Sequence, residues 1–188
     1  MKGIVFNLLE QVVTQHHGEA VWEELLDRTG LSGAYTSLGS YPDDQVAALV
    51  GAASEMLAIP PDAVLRWFGT EAMPLLKERF PAFFAPHNST LSFVKSVNSI
   101  IHPEVRKLYA GAGCPHFQFS DTDDGGLRVG YNSSRRLCAL AHGFIEGAAR
   151  EFGETTIVSH VTCMNHGDER CELTVHTRAL EQRIGDAA

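Results

Sequence analysis

Three groups of residues in this chain have side chains suited to chemistry. The first is His102, in Ser99-Ile100-Ile101-His102-Pro103-Glu104-Val105, near the end of an apolar helical pattern. One imidazole nitrogen can ligate iron while a hydrogen bond orients the other. A lone histidine at a helix end also describes an ordinary core residue, so His102 by itself establishes nothing. The second is Tyr131-Asn132-Ser133-Ser134-Arg135. On an extended segment the period of two points Tyr131, Ser133 and Arg135 the same way. Two hydroxyls beside a guanidinium fork suit a pair of carboxylates. The same residues also suit a strand-to-helix junction with Ser133 or Ser134 as the cap. The third group is Cys138, His160, Cys163 and Cys171. Three thiolates and an imidazole form a tetrahedral zinc site, here one that would staple a helix to a hairpin. His142 and His166 are rival fourth ligands that spacing cannot separate, and buried free thiols are the plainer alternative.

These groups need a frame. The chain has 188 residues, 44% of them hydrophobic and 20% charged, which suits a globular protein with a sizeable core. Its net charge of −8 argues against non-specific binding to nucleic acid or an anionic membrane. No apolar run approaches the roughly 18 residues of a membrane span, and Met1 to Leu9 reads as an amphipathic helix rather than an export signal. The expected location is the cytoplasm. Four cysteines there point to metal binding or redox chemistry rather than disulfides.

The pattern changes near Pro115. Before it, helical periodicity dominates: Ile4, Val5, Leu8, Leu9, Val12 and Val13; then Val21, Trp22, Leu25 and Leu26 up to Gly30; then Val46 to Leu57. A fourth helix opens at Pro61 and breaks at Gly69, and a short one follows over 73–80. A last long helix runs from Thr90 past Ile101. After Pro115 come strands at 117–120 and 127–131 joined by an Asp-Gly turn, a helix over 134–152, and two further strands at 155–161 and 171–177. Residues 179–188 read as a frayed tail. The fold class is therefore α+β, a helical lobe followed by an antiparallel sheet with one helix.

Taken together and in this order, the three groups resemble the haem-nitric oxide/oxygen binding (H-NOX) domains, related to the haem domain of soluble guanylate cyclase. The resemblance spans the whole chain. Its most specific element is Tyr131-x-Ser133-x-Arg135, placed 29 residues after His102. It implies haem b between two lobes, a distal one over 1–64 and a proximal one over 65–188. His102 would be the iron ligand, Tyr131, Ser133 and Arg135 the clamp on the propionates, and Pro115 the residue pressing on the porphyrin. Some bacterial members carry three cysteines and a histidine like these, which selects His160 for zinc. A distal tyrosine accompanies oxygen binding in the family; the matching residue here is Leu140. With Ile4, Val5, Leu8 and Leu9 opposite, the pocket should favour nitric oxide and carbon monoxide over oxygen. Nitric oxide would weaken the iron–His102 bond and let the lobes rotate. With no output segment of its own, the non-catalytic sensor would signal to a separate partner, a histidine kinase or a cyclic-di-GMP enzyme. A rival reading is a zinc and thiol redox sensor acting on the same partner. The role of Cys114, next to Pro115, stays open.

Overall fold

A computed structural model describes residues 1–180. Residues 181–188, most of the expected tail, lie outside the described residues; Ala179 instead ends the last strand. The helical part consists of α1 (Gly3–His17), α2 (Glu19–Thr29), α3 (Asp43–Leu57), α4 (Pro61–Arg79), α5 (Pro81–Phe84), α6 (Thr90–Lys95) and α7 (His102–Leu108). The rest consists of β1 (His116–Asp121), β2 (Leu127–Asn132), α8 (Cys138–Glu151), β3 (Glu154–Thr162) and β4 (Cys171–Ala179). The sheet is antiparallel, in the order β1-β2-β4-β3. Among the described residues no single helix is long and apolar enough to cross a membrane.

Local chemistry explains most boundaries. Gly30 ends α2 in the left-handed conformation, which lacks a Cβ penalty for glycine. Pro61 starts α4 at a position where its missing N–H costs nothing. Asp43 and Asp44 in the first turn of α3 face the positive end of its dipole.

Two elements differ from their sequence reading. Helix α4 continues through Gly69 to Arg79, as one helix rather than two. Gly69 marks a helix crossing: a Cβ there would meet the Leu140 carbonyl oxygen of α8 at 2.6 Å. The packing against α8 outweighs the helix-breaking tendency of glycine and of Pro74. The last long helix, conversely, is not continuous. α6 ends at Lys95, a π-helical turn spans Val97–Ile101, and α7 begins at His102. A π-turn holds one extra residue and often marks a functional position.

Two apolar cores result. One packs α1, α2, α3 and most of the buried face of α4, with Phe6 and Phe68 almost wholly buried. Truncating either to Ala should cost about 3–5 kcal/mol. The other packs the inner face of the sheet, including Leu127, Val129, Leu173 and Val175, against α8 and α6. Helix α4 serves both, giving Leu65 and Phe68 to the first and Met73 to the second.

Candidate functional site

Between the two cores lies a cavity of about 430 Å³, within the size range of small-molecule and cofactor sites. One wall is the rod made by α6, the π-turn and α7, which presents Val97, Ile101, His102 and Val105. Ile4 and Leu8 of α1, Met73 and Leu76 of α4, and Leu140 and Phe144 of α8 line it too. The sheet contributes Phe117, Phe119 and Val129. The lining is predominantly apolar.

His102 is the imidazole in this lining. Its ring stacks on Phe117, with centroids 5.9 Å apart and planes 30° apart. Burial, chiefly, with Arg106 nearby, pushes its pKa down to about 4, against the pull of the Pro115 carbonyl. At neutral pH it is therefore an uncharged imidazole with a lone pair, the form that ligates metal. Its Nδ1 is buried and, among the described residues, has no hydrogen-bond partner of acceptable geometry, although the Pro115 carbonyl is close enough to act on its charge. A buried orphan nitrogen costs about 1–3 kcal/mol, so its retention needs a reason outside the fold. The alternation of β1 left Phe117 legible as inward-facing, but nothing in the sequence placed its ring on His102.

Tyr131, Ser133 and Arg135 all reach the cavity rim. They do not lie on one strand, because β2 ends at Asn132 and Arg136 takes a left-handed φ of 52°. The Tyr131 hydroxyl accepts from the Leu137 N–H at 3.0 Å, and Ser133 Oγ accepts from the Arg135 N–H at 3.3 Å. Arg135 donates to Asp43 Oδ2 at 2.8 Å and to the Gly113 carbonyl at 2.5 Å. Of its five donors two are engaged, leaving others for a ligand. Pro115, Cys114, Ile4 and Leu140 line the cavity as well. Burial, first, raises the Cys114 thiol above its ordinary value. Asp43 and Tyr109, a phenol in the lining, were not singled out from the sequence. Tyr109 follows α7 directly, so the helical pattern through His102 was the available signal.

The cysteines form a second cluster. Cys138 opens α8, Cys163 follows β3 and Cys171 opens β4. All three are buried, and their sulfurs lie within 4.8 Å of one another. The Cys138–Cys163 and Cys171–Cys163 separations are 3.5 and 3.9 Å. The Met164 N–H donates to Cys171 Sγ at 3.2 Å, and Asn165 Nδ2 to Cys138 Sγ at 3.8 Å. Burial, first, and the neighbouring sulfurs raise the Cys138 thiol far above its ordinary value.

His160, expected with the cysteines, stands apart from this sulfur cluster. Alternation along β3 turns it towards α8, where its Nε2 lies 3.1 Å from His142 Nδ1. A register shift between His160 and Thr162 then brings Cys163 to the sulfurs. His142, one rival ligand, is thus the partner of His160. The other, His166, is exposed at the end of the turn Met164–His166.

Comparison with known proteins agrees with this geometry. The family pattern described as Haem-NO-binding matches residues 2–160. Soluble guanylate cyclase gcy-32 of Caenorhabditis elegans is 25% identical over 183 residues. That match covers 94% of this chain and 26% of the cyclase, so the chain spans about a quarter of that relative's length. The crystal structure of an H-NOX protein from Shewanella oneidensis in the Fe(II)NO state superposes with a TM-score of 0.89 at 32% identity, covering 95% of this chain and 99% of that one. An unliganded Fe(II) H-NOX protein from K. algicida, 21% identical, shares the fold with a TM-score of 0.85 over 97% of this chain and 99% of its own. A cavity with a neutral histidine on one wall, and a family pattern over most of the sequence, lead to one assignment: the chain belongs to the haem-NO-binding, or H-NOX, family.

Proposed function

We propose that this chain is a haem-based sensor that binds nitric oxide and carbon monoxide, excludes oxygen, and signals to a separate protein. The observation that carries this reading is the neutral, partly buried His102 on one wall of an apolar cavity, with its Nδ1 unpartnered. The residues present fit haem b. His102 would hold the iron, and its Nδ1 would donate towards the Pro115 carbonyl as the ring settles. Tyr131, Ser133 and the free donors of Arg135 would take the propionates.

Haem, when bound in the ferrous state, would supply an iron able to take up a diatomic gas. The chain decides which gas. Holding oxygen would call for a hydrogen-bond donor in the lining, whereas nitric oxide and carbon monoxide would need one far less. Ile4, Leu8, Met73, Leu140 and Phe144 in the lining offer no such donor. In this reading the domain is a sensor rather than an enzyme.

Output would follow from the position of His102. It joins the π-turn to α7, so a pull on its ring acts on both. The partner in this reading is a histidine kinase or a cyclic-di-GMP enzyme.

The three sulfurs also suit zinc. Zinc–sulfur bonds of about 2.3 Å in a tetrahedron set sulfurs about 3.8 Å apart, close to the two separations found here. His160 would complete the set by turning from His142. This tie between α8 and the β3–β4 hairpin is a structural one, and thiol oxidation is not needed to explain the haem cavity.

Reconstitution tests the proposal. Wild-type protein should take up one ferrous haem per chain. An Arg135→Ala, Ser133→Ala double variant should lose haem at least tenfold faster. Retention unchanged in the double variant would refute the clamp, and no uptake by the wild type would refute the sensor.

A further inference from the structure

Strand β1 lies at one edge of the sheet, so the backbone groups on its outer side have no strand partner. At Phe117 those groups are nonetheless satisfied. The Phe117 carbonyl accepts from Asn98 Nδ2 at 2.5 Å, and the Phe117 N–H donates to Asn98 Oδ1 at 3.2 Å. One side-chain amide thus reproduces both halves of a ladder pair. Asn98 lies in the π-turn, four residues before His102. The two residues grip the same partner: Asn98 holds the Phe117 backbone, and the His102 ring stacks on the Phe117 ring. A second tie from the same rod, Lys95 to Asp121 at 2.5 Å, is solvent-exposed and further from His102.

We infer that Asn98 is a positioning residue for His102: it hangs the π-turn on the free edge of β1 at Phe117 and so sets how far the imidazole stands from the haem face. The inference rests on the haem reading above. The π-turn interrupts the α-helical ladder of the rod, and helices kink at such interruptions. A rod able to flex at that point needs an external fixture if its next residue is to keep a defined distance from a rigid cofactor. Two hydrogen bonds to strand backbone supply one, whereas a single surface ion pair supplies little. Any movement of His102 along its iron-binding direction must then strain the Asn98–Phe117 pair or carry β1 with it. Outer partners of metal-bound histidines act in this way elsewhere, by fixing ring placement.

The test uses haem-loaded ferrous protein. Asn98→Ala removes both bonds, Asn98→Asp keeps the acceptor for the Phe117 N–H, and Lys95→Ala removes only the exposed ion pair. Haem content and the Soret band show first that each protein is loaded. The iron–His102 stretching band, read by resonance Raman, should move in Asn98→Ala, move less in Asn98→Asp, and stay in place in Lys95→Ala. Hydrogen exchange at the Phe117 amide should quicken about tenfold or more in Asn98→Ala, the loss expected for a hydrogen bond of ordinary strength. If Asn98→Ala does not load, Asn98→Asp alone must move the band. A loaded variant with fast Phe117 exchange and an unmoved band would overturn the inference, because Asn98 would then be structural only. Wild-type protein without a Soret band would overturn the haem reading itself, a failure visible before any variant is compared.

Discussion

Arg135 Nε donates to Asp43 Oδ2 at 2.8 Å, across 92 residues of chain. The same carboxylate receives the N-terminal ammonium of Met1 through Oδ1 at 2.5 Å. Asp43 begins α3, whereas Arg135 belongs to the turn after β2. One carboxylate therefore joins the helical part of the chain to the rim of the cavity. Asp43→Asn should loosen Arg135 and speed haem loss severalfold. It should cost only about 0–1 kcal/mol of folding stability, because the pair is partly exposed. Burial alone would raise the Asp43 carboxyl, but bonds from the N-terminal ammonium and Arg135 outweigh it and hold it low. Its stabilising part is therefore present above the ordinary Asp value of 3.8 and is lost as pH falls further. Haem dissociation rates from pH 7 down to pH ~3, wild type against variant, check both points.

The pH dependence of the haem-free protein should show His102. Its pKa is held down to about 4 against an ordinary 6.5, so the unfolded chain takes up a proton that the folded chain refuses. Stability is full above 6.5 and is lost as pH falls from there to about 4. His142, also pushed down to about 4, mainly by burial, adds to the same window. Urea titrations across that range should show a shallower slope for His102→Leu than for wild type. Equal slopes would mean that His102 titrates normally.

Much of this frame was legible in the sequence, because periodicity and turn residues report burial. The switch from helical to strand pattern near Pro115 falls within two residues of the start of β1. The errors came where tertiary packing overrides local preference. Gly69 looks like a helix end but is a contact point between α4 and α8. The run from Thr90 past Ile101 looks continuous, and nothing in its apolar spacing announces a π-turn. At the site, the roles expected of His102, Tyr131, Ser133 and Arg135 came from the family resemblance that their order and spacing carry, whereas Asp43 and Asn98 make contacts distant in sequence. An amide among Val94, Val97 and Ile101 was the one available sign of Asn98. His160 shows the reverse limit, since alternation along β3 could have turned it towards α8 before any ligand set was considered.

Two helical glycines, one at the α4–α8 crossing and one in α3, give predictions of opposite sign. A Cβ on Gly143 would stand 2.0 Å from the Arg66 carbonyl oxygen, a backbone atom that cannot move aside cheaply. Gly143→Ala should therefore destabilise by about 1–3 kcal/mol or more. Gly51, within α3, has open space around its Cβ position. Gly51→Ala should stabilise by about 0.5–1 kcal/mol through helix propensity. Denaturant midpoints measure both.

Zinc removal should separate structure from sensing. The wild type should hold one zinc per chain, and Cys138→Ala should abolish this while raising the susceptibility of the β3–β4 hairpin to proteolysis. Chelation should lower the melting temperature yet leave the Soret band in place, because the sulfur cluster is not part of the haem cavity lining. Metal analysis on the same samples settles the stoichiometry. A normal zinc content in Cys138→Ala would contradict the three-sulfur site.

The central proposal is gas discrimination by His102 haem in an apolar cavity. The most direct measurement is the absorption spectrum of the purified ferrous protein under nitrogen, nitric oxide, carbon monoxide and air. Nitric oxide and carbon monoxide should each shift the Soret band, and air should give no stable oxy spectrum. A long-lived oxy form in air, or a colourless protein that takes up no haem, would contradict it.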